Sequence, residues 1–256
     1  MRTPRASIVA RRLKACANPT RARLLLRFFK TGPGQYGEGD RFLGLTLPQV
    51  RNIAREFHAL PLPEIEALLE SPWHEARCAA GVILTRQYAS ADARGRTEIH
   101  RAYLRRTDCI NNWDLVDLTA PVIVGTHLLN RSRSVLRRLA RSKSLWERRI
   151  AIVATFAFIR ESQFDDTFEI AEILLKDRHD LIHKAVGWML REVGKRDEGA
   201  LRRFLDRHAA TMPRTALRYA IERLSPASRK RYMAAGKLPF CEPSAPVHRP
   251  SIEAPQ

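Results

Sequence analysis

The sequence predicts an all-α chain, an α-solenoid of paired helices around a concave, basic groove. Three observations lead there. Nearly every segment repeats its apolar residues with a helical period, and almost none shows the two-residue alternation of a strand. Helix start signals recur at short intervals along the chain. From residue 72 to 235 the helices group into units of about 35–45 residues, the range of HEAT or armadillo repeats. No tight repeat consensus is visible, so helix spacing alone carries this period, and a compact helical bundle is the competing architecture.

Taken in order, helices are expected over 6–17, 19–30, 47–59, 62–70, 72–89, 93–106, 112–129, 132–142, 145–160, 166–176, 180–194, 198–208, 212–223 and 226–235. Thr46-Leu47-Pro48-Gln49 and Ser144-Leu145-Trp146-Glu147 each fit a capping box, in which hydroxyl and carboxyl or amide satisfy orphan N–H groups reciprocally. Ser71-Pro72 and Ser225-Pro226 place a capping hydroxyl before a proline at the first helical position. Two stretches break the pattern: a glycine-rich loop over 31–46, and a tail over 238–256 with five prolines in nineteen positions. The tail reads as disordered. The expected division is therefore a helical-repeat domain over 1–237 and the tail over 238–256.

The 256 residues are 45% hydrophobic and 28% charged, which excludes global disorder. Lys and Arg number 45 against 27 Asp and Glu, a net charge of 45 − 27 = +18. Such a balance concerns partners and not fold, and it favours a polyanion such as DNA or RNA over an anionic membrane surface. A basic proteome background is the alternative source of the arginines. The longest uncharged apolar run, Ile150 to Ile159, is too short to span a bilayer. The N-terminus has no apolar stretch long enough for a secretory signal, so cytoplasmic residence is expected. Cys16, Cys78, Cys109 and Cys241 form no CxxC pair, and neither a zinc site nor a disulfide framework is expected.

Gly32-Pro33-Gly34-Gln35-Tyr36-Gly37 matches GxGxxG, but no strand precedes it, as the dinucleotide fingerprint requires. A DNA-facing loop fits better, with Tyr36 and Arg41 available to touch a backbone. His179 and His183 stand four residues apart on one helix, yet no Glu lies between them and no third ligand is evident. No metal or cofactor is expected. Residues 131–149 carry eight Lys or Arg and one Glu, Arg148 among them, which suits a phosphate-contacting surface or a solvated helical face. Arg149 is different: it falls on the apolar stripe of Leu145, Ile152 and Phe156, where an unpaired charge is costly. Trp113 and Asp117 share one helix face with Val116 and Ala120, and Trp188 shares another with Lys184 and Arg191. Each Trp taken singly is more often core than site.

Together these segments resemble the AlkD-like DNA alkylation repair family, HEAT-like-repeat glycosylases that remove N3- and N7-alkylated purines. The resemblance rests on YGEGDRFLG (36–44) followed by Pro48 and Arg51, then NNWDLVD (111–117), LWERRIAI (145–152) and HKAVGWMLRE (183–192). It extends in helix order over residues 10–235. It implies that Trp113, Asp117, Arg149 and Trp188 hold the family's functional positions, here catalytic; Arg148, Lys184, Arg191, Arg51, Tyr36 and Arg41 are expected to contact DNA. Asp117 would stabilise an oxocarbenium-like deoxyribose and orient water, the indoles would attract a cationic nucleotide, and Arg149 would hold a backbone phosphate. The family's route leaves the lesion largely stacked, so no closed purine-sized pocket is expected beside Asp117. Asn112 departs from the pattern, standing where some members carry a second tryptophan. The implied partner is double-stranded DNA containing alkylated purines, met by a monomer that needs neither membrane nor obligate protein partner. Two other readings compete: a non-catalytic repeat protein binding duplex or branched DNA, and a scaffold for proteins or RNA. Glu192, four residues after Trp188, is either a second acid or an ion-pair partner.

Overall fold

The computed structural model describes residues 5–235, so the proline-rich segment over 238–256 lies outside the described residues. Within them every regular element is helical, with one isolated parallel bridge between Arg41 and Trp73. The chain runs through α1 (Ala6–Lys14), α2 (Pro19–Phe28), α3 (Leu47–Glu56), α4 (Leu62–Leu69), α5 (His74–Ser90) and α6 (Ala93–Arg105). It continues through α7 (Trp113–Thr119), a π-helical stretch (Ala120–Gly125), α8 (Thr126–Leu128), α9 (Ser134–Ala140), α10 (Leu145–Ala154), α11 (Phe156–Arg160) and α12 (Asp165–Leu174). It closes with α13 (Asp180–Gly194), α14 (Glu198–His208), α15 (Arg214–Ala220) and α16 (Pro226–Ala234). None of these is long and apolar enough to cross a membrane.

Packing turns the list into two layers. Helices α5, α7, α10, α13 and α15 form a row in which each touches the next, while α4, α6, α9, α12 and α14 each pack against a member of that row. Every described segment expected to be helical is helical, and the departures have local causes. The single helix expected over 112–129 widens into a π turn at Pro121, which has no N–H to return to the preceding turn. The helix expected over 145–160 is interrupted at Thr155. The helix expected from residue 72 starts at His74: Trp73 pairs with Arg41, His74 N–H donates to the Arg41 carbonyl (2.8 Å), and Ser71 Oγ receives the Trp73 N–H (3.2 Å) instead of capping.

The capping expectations divide in the same way. The Thr46–Gln49 box is reciprocal, and Ser225 caps α16. Ser144 caps α10, but the Glu147 carboxylate turns away to accept from Thr107 Oγ1 (2.8 Å), so that box is half made.

The glycine-rich loop over 31–46 is ordered by its attachments. Glu75, buried at the start of α5, accepts the backbone N–H groups of Leu43 (2.9 Å), Gly44 (2.7 Å) and Leu45 (3.2 Å). Gly44 has φ +87°, and a Cβ there would stand 2.1 Å from the Asn18 carbonyl oxygen. Both the left-handed backbone and the close approach to α2 demand glycine. Gly44→Ala is expected to cost more than about 2 kcal/mol of folding free energy, read as a lower urea midpoint at unchanged slope.

Candidate active site

A half-open cleft of about 550 Å³ runs along the inner row of helices. Trp113 and Asp117 on α7, Arg149 on α10, and Lys184, Trp188 and Arg191 on α13 line it, together with Tyr36 from the loop. Residues as far apart in sequence as Tyr36 and Arg191 thus meet at one surface, because the row of helices sets their facing sides next to one another. Three residues expected to contact DNA lie outside this cleft. Arg148 lies about 100° round the helix from Arg149 and turns away, its Nε on Asp177 (2.5 Å) and its Nη1 on the carbonyls of Ser142 (3.0 Å) and Lys143 (2.9 Å). Arg51 and Arg41 are exposed on α3 and the loop and line no part of the cleft.

Asp117 and Arg149 form the centre. The guanidinium grips the carboxylate with two bonds, Nε to Oδ1 (3.0 Å) and Nη2 to Oδ2 (2.8 Å), and sends Nη1 to the Leu181 carbonyl (2.6 Å) at the start of α13. The Arg149 side chain is 6% exposed and that of Asp117 21%. Burial pushes the Asp117 carboxyl above the ordinary aspartate range and the charge of Asp114 adds to this, while Arg149 pulls it back down. The expectation that Arg149 reaches out to a phosphate meets a guanidinium already committed on three sides. Its place here is to hold the acid.

Aromatic side chains flank the pair. Trp113 stacks on Phe29 (centroids 5.4 Å, 21°), Phe29 on Phe42 (5.0 Å, 20°), and Phe42 on His74 (4.7 Å, 26°). On the far side Trp188 packs near Phe156 (6.1 Å) and donates Nε1–H to Glu192 (3.2 Å). Glu192 also takes Lys195 Nζ (2.7 Å), so it serves as an ion-pair partner behind the indole. Cations sit at the rim: Lys184 pairs with Asp180 (2.8 Å) and Arg191 with Glu222. The Tyr36 hydroxyl is held high in pKa chiefly by burial. His179 caps α13 by accepting the Leu181 N–H, and His183 Nε2 donates to the Asp177 carbonyl (2.6 Å), which occupies both in helix geometry.

Sequence reasoning missed several neighbours. Phe28, Lys30, Leu181 and Tyr219 also line the cleft. Phe28 is 61% exposed, yet its spacing from Leu24 reads as an ordinary apolar stripe. Tyr219 is brought in because α15 lies against Gly187, where a Cβ would stand 2.4 Å from the Ala216 carbonyl oxygen. Beneath the aromatic ladder lies a buried charge cluster with no sequence signature. His74, its side chain 5% exposed, donates Nε2–H to Asp114 (2.8 Å) and Nδ1–H to Asp40 (3.3 Å). Asp40 also accepts from Arg77 and from Asn112 Nδ2 (2.9 Å), and Asn112 is fully buried. The Asn112 departure therefore changes the support under the cleft and not its surface.

These features define a helical-repeat protein that turns an acid, two indoles and several cations toward one cleft. The family model for DNA alkylation repair enzymes matches residues 9–224, and the chain belongs to that family, which acts on DNA. Its fold is similar to that of a predicted DNA alkylation repair enzyme from Enterococcus faecalis, with a TM-score of 0.66 and 18% identity, covering 82% of this chain and 97% of that one. A search of the curated proteins finds no match.

The buried cluster makes stability depend on pH. Burial favours the neutral ring of His74, but the hydrogen bonds to Asp114 and Asp40 outweigh it and push its pKa up to about 9 from the ordinary 6.5. A folded-state pKa raised in this way gives stability that is complete below pH 6.5 and lost as pH rises through 9. The melting temperature is expected to fall by several degrees between these limits, measured by circular dichroism, and His74→Gln to flatten that part of the profile.

Proposed function

We propose that this chain is a DNA glycosylase that hydrolyses the N-glycosidic bond of N3- and N7-alkylated, positively charged purines in duplex DNA, without fully flipping the base. One observation carries the reading: a carboxylate, Asp117, faces an open cleft between two indoles while a buried guanidinium fixes its direction. An alkylated purine is already a cation and so a good leaving group. Trp113 and Trp188 attract that cation, each by about 0.5–2 kcal/mol depending on desolvation. The C1′–N bond breaks with its electron pair moving onto the purine, which neutralises the ring and leaves C1′ as an oxocarbenium centre. The Asp117 carboxylate stabilises this centre. Water adds to C1′, its proton passes to Asp117 and on to solvent, and the products are free base and an abasic site.

Phosphates fall to the rim cations, exposed Lys30 and half-buried Lys184 and Arg191, and not to Arg149. The half-open shape of the cleft supports a lesion approached from its backbone side, since a flipped purine calls for an enclosing pocket.

Release of 7-methylguanine and 3-methyladenine from methylated duplex tests the activity. Asp117→Asn is expected to lower release by about 10²-fold or more with duplex binding nearly unchanged; release at the wild-type rate would remove Asp117 from the mechanism. The raised carboxyl places the acid limb of wild-type excision above the ordinary aspartate value. Salt dependence separates the two kinds of cation. Lys30→Ala, at an exposed lysine of the rim, is expected to reduce the slope of log K against log salt by about one. Arg149→Met, whose charge Asp117 already offsets, should leave the slope alone and cut excision; equal slopes for the two variants would return Arg149 to the phosphates.

A further inference from the structure

Trp113 and Asp117 act from one short helix, and that helix is held from below. Asn112 caps α7, its Oδ1 accepting the Trp113 N–H (2.8 Å), and its Nδ2 donates to Asp40 (2.9 Å). Asp114, in the first turn, accepts the Leu115 N–H (2.9 Å) on Oδ1 and His74 Nε2–H (2.8 Å) on Oδ2. The other His74 nitrogen reaches Asp40 (3.3 Å), which belongs to the loop that carries Tyr36. The ring is also the last member of the stack Phe42, Phe29, Trp113. One imidazole therefore touches three of the parts that place the cleft's first indole: the residue after Trp113, the loop beside it, and the aromatic ladder under it.

We propose that His74 is a positioning residue for the excision reaction, bridging Asp40 and Asp114 so that Trp113 and Asp117 present a fixed geometry to the lesion. The proposal rests on the glycosylase reading above. His74 contacts no part of the cleft itself, so it acts only through α7 and the loop. Its bridge needs both nitrogens to donate, which only the imidazolium does. The charged or titratable groups around it are Asp40 on the loop, Glu75, Arg77 and Cys78 on its own helix, Asp114 on α7, and Arg21 on α2 across an apolar cavity of about 360 Å³. Glu75 is occupied by three backbone N–H groups and Arg77 by Asp40 and the Ser71 carbonyl, which leaves the two aspartates to hold the proton. Loss of that proton removes one of the two donors, leaves the Asn112–Asp40 bond as the remaining tie between α7 and the loop, and loosens the Trp113 stack.

The test is single-turnover release of 7-methylguanine from duplex between pH 6 and 10. It is run below the melting temperature of every variant, with duplex affinity measured alongside. The wild type is expected to show a fall in rate near pH 9 that His74→Gln lacks, with titration of the DNA itself common to both. At pH 7 His74→Gln is expected to be about tenfold slower with Kd for duplex within twofold, since the rim cations are untouched. Asp114→Asn keeps one acceptor oxygen where the carboxylate has two and should be slowed less than Asp114→Ala, which should match His74→Gln. Ring-proton NMR of the free protein gives the His74 titration independently of activity. A wild-type rate that does not fall near pH 9, a fall that His74→Gln retains, or equal rates for Asp114→Asn and Asp114→Ala, overturns the proposal. These outcomes decide it even where His74→Gln does not fold, because the wild-type profile and the Asp114 pair do not need that variant. Absence of release by the wild type would instead overturn the glycosylase reading, and the two failures are thereby distinct.

Discussion

An arginine inside a helical stack must be matched by a carboxylate, and the rest of the site depends on how that match is made. Arg149 is rooted in α10, holds Asp117 on α7 by two bonds and the Leu181 carbonyl on α13 by a third. Three consecutive members of the inner row are thereby tied at one point, midway along the cleft. Removing one partner of such a pair leaves an uncompensated buried charge, typically a loss of about 3–5 kcal/mol. The carboxylate that faces the cleft is thus also a group that holds the layers in register. Its position is set by helix packing, and no flexible loop intervenes between acid and framework.

The first turn of α5 plays the corresponding part for the front wall. His74, Glu75 and Arg77 are buried there side by side, which is unusual for three ionisable residues. Each is matched: Glu75 by backbone N–H groups of the loop, Arg77 by Asp40, and His74 by Asp40 and Asp114. The glycine-rich loop consequently has little freedom, despite its composition. It is fastened at Asp40 and again at Leu43, Gly44 and Leu45, and so it brings Tyr36 to the cleft as a fixed wall.

Much of this was legible in the sequence, and the limits were physical. The helix order followed from apolar period and caps because those are local effects. Arg149 was legible because a charge on an apolar stripe is an anomaly, and the Trp113–Asp117 spacing because four residues on a helix share a face. The family resemblance added weight to both. Partners chosen across the fold were not legible. Glu147 has the spacing for a reciprocal cap but prefers Thr107, forty residues away. Arg148 and Arg149 are alike in sequence and turn to opposite sides, one to Asp177 and one to Asp117. His74 gave no sign because α5 is buried nearly all round, so no polar face exists against which a buried histidine stands out.

The charge of the chain and the charge of the site do different work. A net +18 attracts every phosphate on DNA equally, and so supplies affinity without choosing a position. An alkylated purine differs from its neighbours by one positive charge, and only a local field of the opposite sign can register it. In the glycosylase reading proposed above, that field comes from Asp117 and the two indole faces. Arg149 weakens it, since the guanidinium offsets the carboxylate. Yet burial and Asp114 both push Asp117 toward its neutral form, and a protonated acid would neither attract the lesion nor stabilise a cationic sugar. The arginine opposes that push at the cost of part of the carboxylate's field. An acid sunk into the wall of a helical stack can be rigid, or fully exposed in charge, but it holds both properties only in the measure its partner allows.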